Sequence, residues 1–163
     1  MKLYKLTDQN HYTTNTTLWG EGFTHKVREK KPNPSLCSAD VIHAYKNANL
    51  GLLLNPNHAD INNPVLWEAE GDIVAEDYGK VGCYQLTTVQ KLRLPEWYED
   101  EPARKRVTVL FAILSAEAVL EFYEDKYPAD NRPRKAIAAA RESLKNPTAY
   151  AAADAACAAY AAA

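Results

Sequence analysis

The stretch "VLWEAEGDIVAEDYGKVGCYQLTTVQKLRLP", residues 65–95, decides how the rest of the chain is read. Val65, Trp67 and Ala69 fall on one side of an extended chain, and Glu68 and Glu70 fall on the other. That period of two belongs to a half-buried strand. Gly71-Asp72 and Tyr78-Gly79 read as turns, so hairpins or a meander are more natural here than a helical crossover. The middle of the chain is therefore expected to be antiparallel sheet.

Toward the N-terminus, "KLYKL" (2–6) alternates as a first strand and "DQNHYTTNTT" (8–17) reads as a polar turn or loop. "TLWGEGFTHKVRE" (17–29) reads as two short extended pieces hinged at Gly20 and Gly22. "SADVIHAYKN" (38–47) predicts a short helix, with Ser38 as N-cap, Asp40 in the first turn, and Val41, Ile42 and Tyr45 on one face. "LGLLLNPN" is an apolar run with no clear period, and "NPNHADINNP" (55–64) is rich enough in Asn and Pro to be read as loop.

Toward the C-terminus, "EWYEDEPARKR" (96–106) is a charged connector and the candidate boundary. Beyond it Val107, Leu110, Phe111, Leu114, Ala118 and Phe122 recur at helical spacing, and Val109, Ile113 and Leu120 widen the stripe. A helix this apolar is expected to be buried against the β part. A second helix is expected over 132–145, ended by Asn146-Pro147. Thr148 then caps a third, "AYAAADAACAAYAAA", whose Tyr150, Asp154, Cys157 and Tyr160 form one stripe. This segment stops without a glycine cap or closing charge, so the natural chain is expected to run on past Ala163. The fold class is α+β: a mainly β region with short helices over 1–103, then a helical region of three helices over 104–163 packed on it.

The chain has 163 residues and a net charge of −2, with 19 Lys and Arg against 21 Asp and Glu. Residues 1–103 hold 10 basic against 14 acidic side chains, and 104–163 hold 9 against 7. Nothing in this balance draws the protein to nucleic acid or to an acidic membrane. Cys37, Cys83 and Cys157 are too few and too far apart for a disulfide framework or a zinc knuckle. The start, "MKLYKLTDQN", lacks the apolar run of a secretory signal, and no stretch has the length of a membrane span. A cytoplasmic protein of a bacterial host cell, with reduced thiols and no cofactor, is expected.

The ordered set "LCSADVIHAY", "LLLNPNHA", "NPVLWEAEGDI", "KVGCYQLTTVQKLRLP" and "RVTVLFAIL" resembles an uncharacterised domain of phage and prophage proteins, over roughly the first 115 residues. "YPADNRPRKAIAAARESL" resembles the signature of a bacterial immunity-protein family, in which such a helix start is followed by alanine-rich helices. These resemblances imply a phage or prophage setting and a role in conflict between phage and host. Neither implies a mechanism, and the alanine-rich region is shorter here than in the immunity-type proteins.

Several surfaces are candidates for chemistry. Arg132, Arg134 and Lys135 crowd the first turn of a helix, where the dipole disfavours cations. They face either a bound anion or the protein's own acids, Asp130, Glu121, Glu124 and Asp125. Glu68 and Glu70 are a carboxylate pair suited to acid–base work or a divalent cation, or else a solvated strand face. His11, His25, His43 and His58 fit no metal motif, so no metal is expected. His43 is a ligand contact, a partner for Cys37, or a core histidine, and His58 a ligand contact or a loop residue. Trp67 reads as core, Trp19 as a stacking platform or a lid, and Trp97-Tyr98 as an interface anchor.

The leading reading is an accessory binding protein that captures a small anionic ligand, such as a nucleotide, or a host partner protein. Its ligand-binding candidates are Trp19, His43, Glu68, Glu70, Arg132, Arg134 and Lys135. One alternative is a structural or interaction protein, homo-oligomeric through its alanine-rich helices. The other is a transferase or hydrolase working with Glu68, Glu70 and His43.

Overall fold

In the computed structural model, residues 1–13 and 16–145 are described. The chain divides into two compact units, Met1–Glu96 and Trp97–Ala163. The first holds β1 (Lys2–Thr7), β2 (Tyr12–Thr13), β3 (Thr17–Leu18), β4 (Thr24–Lys26), β5 (Ile42–Ala44), α1 (Ala48–His58), β6 (Val65–Glu76) and β7 (Val81–Leu92). A short α2 (Glu96–Glu99) stands at the junction, and α3 (Glu101–Lys126) and α4 (Arg132–Lys145) follow. The architecture is α+β, with antiparallel sheet first and helices after it.

The 65–95 stretch is a single long hairpin. Asp77 makes its turn: one carboxylate oxygen accepts from the backbone N–H of both Gly79 and Lys80, at 2.7 Å each. Gly71 is not the turn the sequence suggests. It lies inside β6 at a shift of register, where a Cβ would stand 2.7 Å from the Gln85 carbonyl oxygen. A glycine inside a strand marks a bulge as readily as a turn, and here it is the bulge.

β1 lies along one edge of this hairpin and β4 and β5 along the other, all antiparallel. Leu3 opposes Ala69, Lys5 opposes Trp67 and Thr7 opposes Val65. Opposed residues share a face, so Lys5 points to the same side as Leu3. The far edge of β5 then returns to β1. Tyr4 and Tyr45 exchange both backbone hydrogen bonds, at 2.8 Å each. The circuit β1–β6–β7–β5–β1 is thereby closed, around a core of Leu3, Trp19, Ala44, Ala69, Val81, Cys83 and Leu86.

Two local expectations are corrected in this unit. Residues 38–47 form no helix: Ser38 Oγ donates to the Ser35 carbonyl and accepts from Asp40 N–H, making a turn. The chain then enters β5 at the β-branched Ile42. Serine ahead of an acid serves a turn as well as a cap. The helix comes later and runs into the predicted loop. Asn47 caps α1 by accepting from Leu50 N–H, and Pro56 is tolerated in the last turn. The buried Asn55 then clamps the following loop, its amide bonding Ile61 N and O at 3.1 and 2.9 Å.

In the second unit Asp100 caps α3, accepting from Ala103 N–H at 3.0 Å, and Pro102 sits in the first turn. The expected connector 96–106 is thus helical apart from Asp100. α4 returns along α3, tied by Arg134 to Glu124 and Arg141 to Glu117, both two-pronged. The expected burial of α3 along its apolar stripe is not what is found: on this helix only Ile113 is buried. The third, alanine-rich helix predicted from Thr148 lies outside the described residues.

Gly51 of α1 is required by packing, since a Cβ there would lie 2.8 Å from the Tyr45 ring. Gly51→Ala is expected to destabilise the protein by about 1–3 kcal/mol through overpacking. This outweighs the gain of up to about 1 kcal/mol in helix propensity. Urea denaturation checks it, and an unchanged or higher midpoint would contradict this packing.

Candidate functional site

The N-terminal unit carries a cleft of about 1090 Å³, floored by β1 and walled by β5 and the segment around His58. At its base lies Lys5, only 8% exposed. Its ammonium donates to the His43 carbonyl at 2.8 Å and sits over the Trp19 ring, 5.1 Å from the centroid. The carbonyl is available for a simple reason. In an antiparallel ladder the peptide groups of alternate residues point the same way, so His43, two residues from Tyr45, turns its oxygen toward β1. Among the described residues no carboxylate pairs with Lys5. Burial pushes the ammonium down to about 8, against a smaller opposing effect of the neighbouring Cys83.

The other walls are rings. His43 Nε2 hydrogen-bonds the Leu36 carbonyl, which makes that nitrogen the donor. His58 stacks on Tyr45 with planes 9° apart, and its Nδ1 meets the Tyr45 hydroxyl at 3.3 Å. Burial lowers both imidazoles below their ordinary value, and Lys80 pushes both the same way. Lys5 adds to the effect on His43. The Leu36 carbonyl opposes this shift at His43 and Asp77 opposes it at His58, but burial prevails and both rings favour the neutral form more than a free imidazole does.

The residues expected to bind ligand are not gathered in one place. Trp19 and His43 do line this cleft. Trp19 is 2% exposed, however, with its Nε1 donating to Thr13 Oγ1 and its ring covered by Lys5 and His25. It is a wall of the core rather than a free stacking platform. Cys37 is exposed, and no contact joins it to His43. The buried Cys83 thiol is pushed up to about 11 by burial, far from a reactive thiolate.

Glu68 and Glu70 are not among the cleft residues. Glu68 is paired with Lys2 at 3.0 Å and accepts from Gln90 at 3.1 Å. Gln90 and Lys2 hold its carboxyl below the usual range, which suits an ionised surface group and not a proton donor. Glu70 is exposed. Arg132 and Arg134 lie in the other unit, and their anions are the protein's own, Asp130 at 2.7 Å and Glu124 at 2.5 Å. Asp130 also accepts from Arg132 N–H and from the Tyr123 hydroxyl, so the crowding of cations at this helix start is neutralised locally. Lys135 is exposed. Among the described residues no three of His, Cys, Asp and Glu are grouped as a metal site would need, and no helix is long and apolar enough to cross a membrane.

The second unit offers a different surface. Leu110, Leu114, Ala118 and Phe122 follow one another at four-residue intervals along α3, which makes them a ridge. Leu110 is 42%, Leu114 52% and Phe122 76% exposed. Glu117 and Glu124, which hold α4, flank this ridge, Glu117 standing three residues beyond Leu114 and seven beyond Leu110.

One comparison with known proteins bears on these surfaces. Residues 99–163, which include α3 and α4, match a family described as "Imm-5 like putative immunity protein". No curated protein and no solved structure matches the chain. The immunity-type resemblance of the C-terminal stretch is thus supported by a family match that begins ahead of α3.

Because Lys5 is harder to protonate in the fold than in the unfolded chain, it costs the protein stability at neutral pH. Its pKa falls from 10.5 to about 8, a penalty on the order of 3 kcal/mol that is removed as pH rises from 8 through 10.5. Lys5→Met is expected to be more stable than the parent at pH 7 by about 1–2 kcal/mol, allowing for the lost bond to His43. That advantage should shrink as the pH is raised to 10. Denaturation of both proteins across this range tests it, and a Lys5→Met protein less stable at pH 7 would contradict it.

Proposed function

We propose that the protein is an immunity-type protein that protects by holding another protein, and that the exposed ridge of α3 is its contact surface. The observation that carries this reading is the position of Leu110, Leu114 and Phe122: large apolar side chains left in solvent within the residues matched by the immunity family. Exposed apolar side chains arranged together along a helix are the usual anchors of a protein interface. The Arg134–Glu124 and Arg141–Glu117 pairs contribute little energy at the surface, but they hold α4 against α3 and leave the ridge preformed.

The resemblance of roughly the first 115 residues to a phage and prophage domain supports placing this protection in conflict between phage and host. A binding role also agrees with Glu68, ionised and paired, being a poor proton donor for transferase or hydrolase chemistry.

The test is co-expression with polypeptides whose expression alone kills the host cell, scored by cell survival and by co-purification. The parent chain is expected to protect and to co-purify. Leu114→Glu combined with Phe122→Glu should lose protection and weaken binding at least about 30-fold, as two anchors of roughly 1–2 kcal/mol each require. The far-UV spectrum should be unchanged, because both positions are exposed. Full protection by the double variant would overturn the assignment of the surface. Failure of the parent chain to bind or protect would overturn the function.

A further inference from the structure

We propose that the cleft of the N-terminal unit binds a small organic anion, a phosphate- or carboxylate-bearing molecule of up to nucleotide size, whose oxygens pair with the Lys5 ammonium between His43 and Trp19. This lies in a different unit from the immunity-type surface and stands or falls without it.

The first support is an unbalanced charge. An ammonium has three N–H donors, and Lys5 uses one on a neutral carbonyl and spreads its charge over a ring face. Buried charges are ordinarily paired, and a group more than nine-tenths buried with no counter-ion is an exception that calls for one. Lys5 lines an open cleft rather than a sealed core, so a counter-ion can approach it from solution.

The second support is the surroundings. Lys80 reinforces the positive field, which acts on His43 and His58 alike. Of the four acids that line the cleft, Asp8, Glu29, Asp40 and Asp60, two are engaged: Asp8 accepts from the backbone N–H groups of Asn10 and Tyr12, and Asp40 pairs with Lys31, while Lys5, Lys26, Arg28, Lys31 and Lys80 outnumber them. The volume of about 1090 Å³ is at the upper end for small-molecule sites, with room for more than a bare ion. The Tyr45 hydroxyl and the His58 ring offer polar atoms at the wall.

The experiment is thermal unfolding of the full chain at constant ionic strength, with inorganic phosphate, adenosine monophosphate and citrate as separate probes. The parent protein is expected to gain at least about 3 °C in Tm from one of them at millimolar concentration. A gain from phosphate or the nucleotide identifies a phosphate site, and a gain from citrate alone identifies a carboxylate site. Lys5→Met should show no gain while melting no lower than the parent in plain buffer. Lys80→Met, a partly exposed position that leaves the fold intact, should show a reduced gain and carries the test if Lys5→Met does not fold. No gain from any probe, or the same gain in both variants as in the parent, overturns the proposal.

Discussion

Two hydrogen bonds between the peptide groups of Tyr4 and Tyr45 hold the first unit in its shape. Without them β1 and β5 would be separate edges of a hairpin-centred sheet. With them the strands close on one another, and both sides of β1 are covered. The same bonds fix Tyr45, whose ring then packs against Gly51 and stacks on His58, so that α1 is seated on the closure itself. The alternation of the ladder also turns the His43 carbonyl toward the interior side of β1. Lys5 reaches it from there. A closed sheet therefore leads directly to a buried cation.

Much of this was legible in the residues, and the parts that were not have identifiable causes. The hairpin of β6 and β7 announced itself by its period of two, and the first strand did as well. Leu3 and Leu6 carried a further hint: three apart in a strand, they cannot share a face. Both are buried, because β1 is covered on both sides, and Lys5 goes inward with Leu3. Long-range closure by Tyr45 is what decides this, and no local pattern encodes it. Ser38, Gly71 and Pro56 misled for a common reason. Each is a residue type that serves two local geometries, cap or turn, turn or bulge, helix breaker or last-turn residue. Tertiary contacts chose between them.

The helical part failed in the opposite direction. Its first helix begins inside the expected connector, at Glu101 behind the Asp100 cap, and its apolar stripe suggested burial that is largely absent among the described residues. Periodicity reports which side chains share a face and says nothing about what covers that face. The basic start of α4 was better resolved from the residues, since acids close in sequence and on the preceding helix were available to balance it. Arg132 and Arg134 pair with Asp130 and Glu124, the internal balance that the residues offered as one reading of that helix start.

The two units thus differ in how they deal with charge. In the second, surface arginines meet carboxylates, and an apolar ridge stands exposed among the described residues. In the first, a cation is buried at a cost and left without a counter-ion. The most direct measurement of that central claim is the titration of the Lys5 ammonium itself, by nitrogen-15 detected NMR of the ligand-free protein with Lys5→Met to assign the signal. A midpoint near 8 is the expected result. A midpoint at the ordinary lysine value of about 10.4 would mean the charge is solvated or paired after all, and would contradict the account.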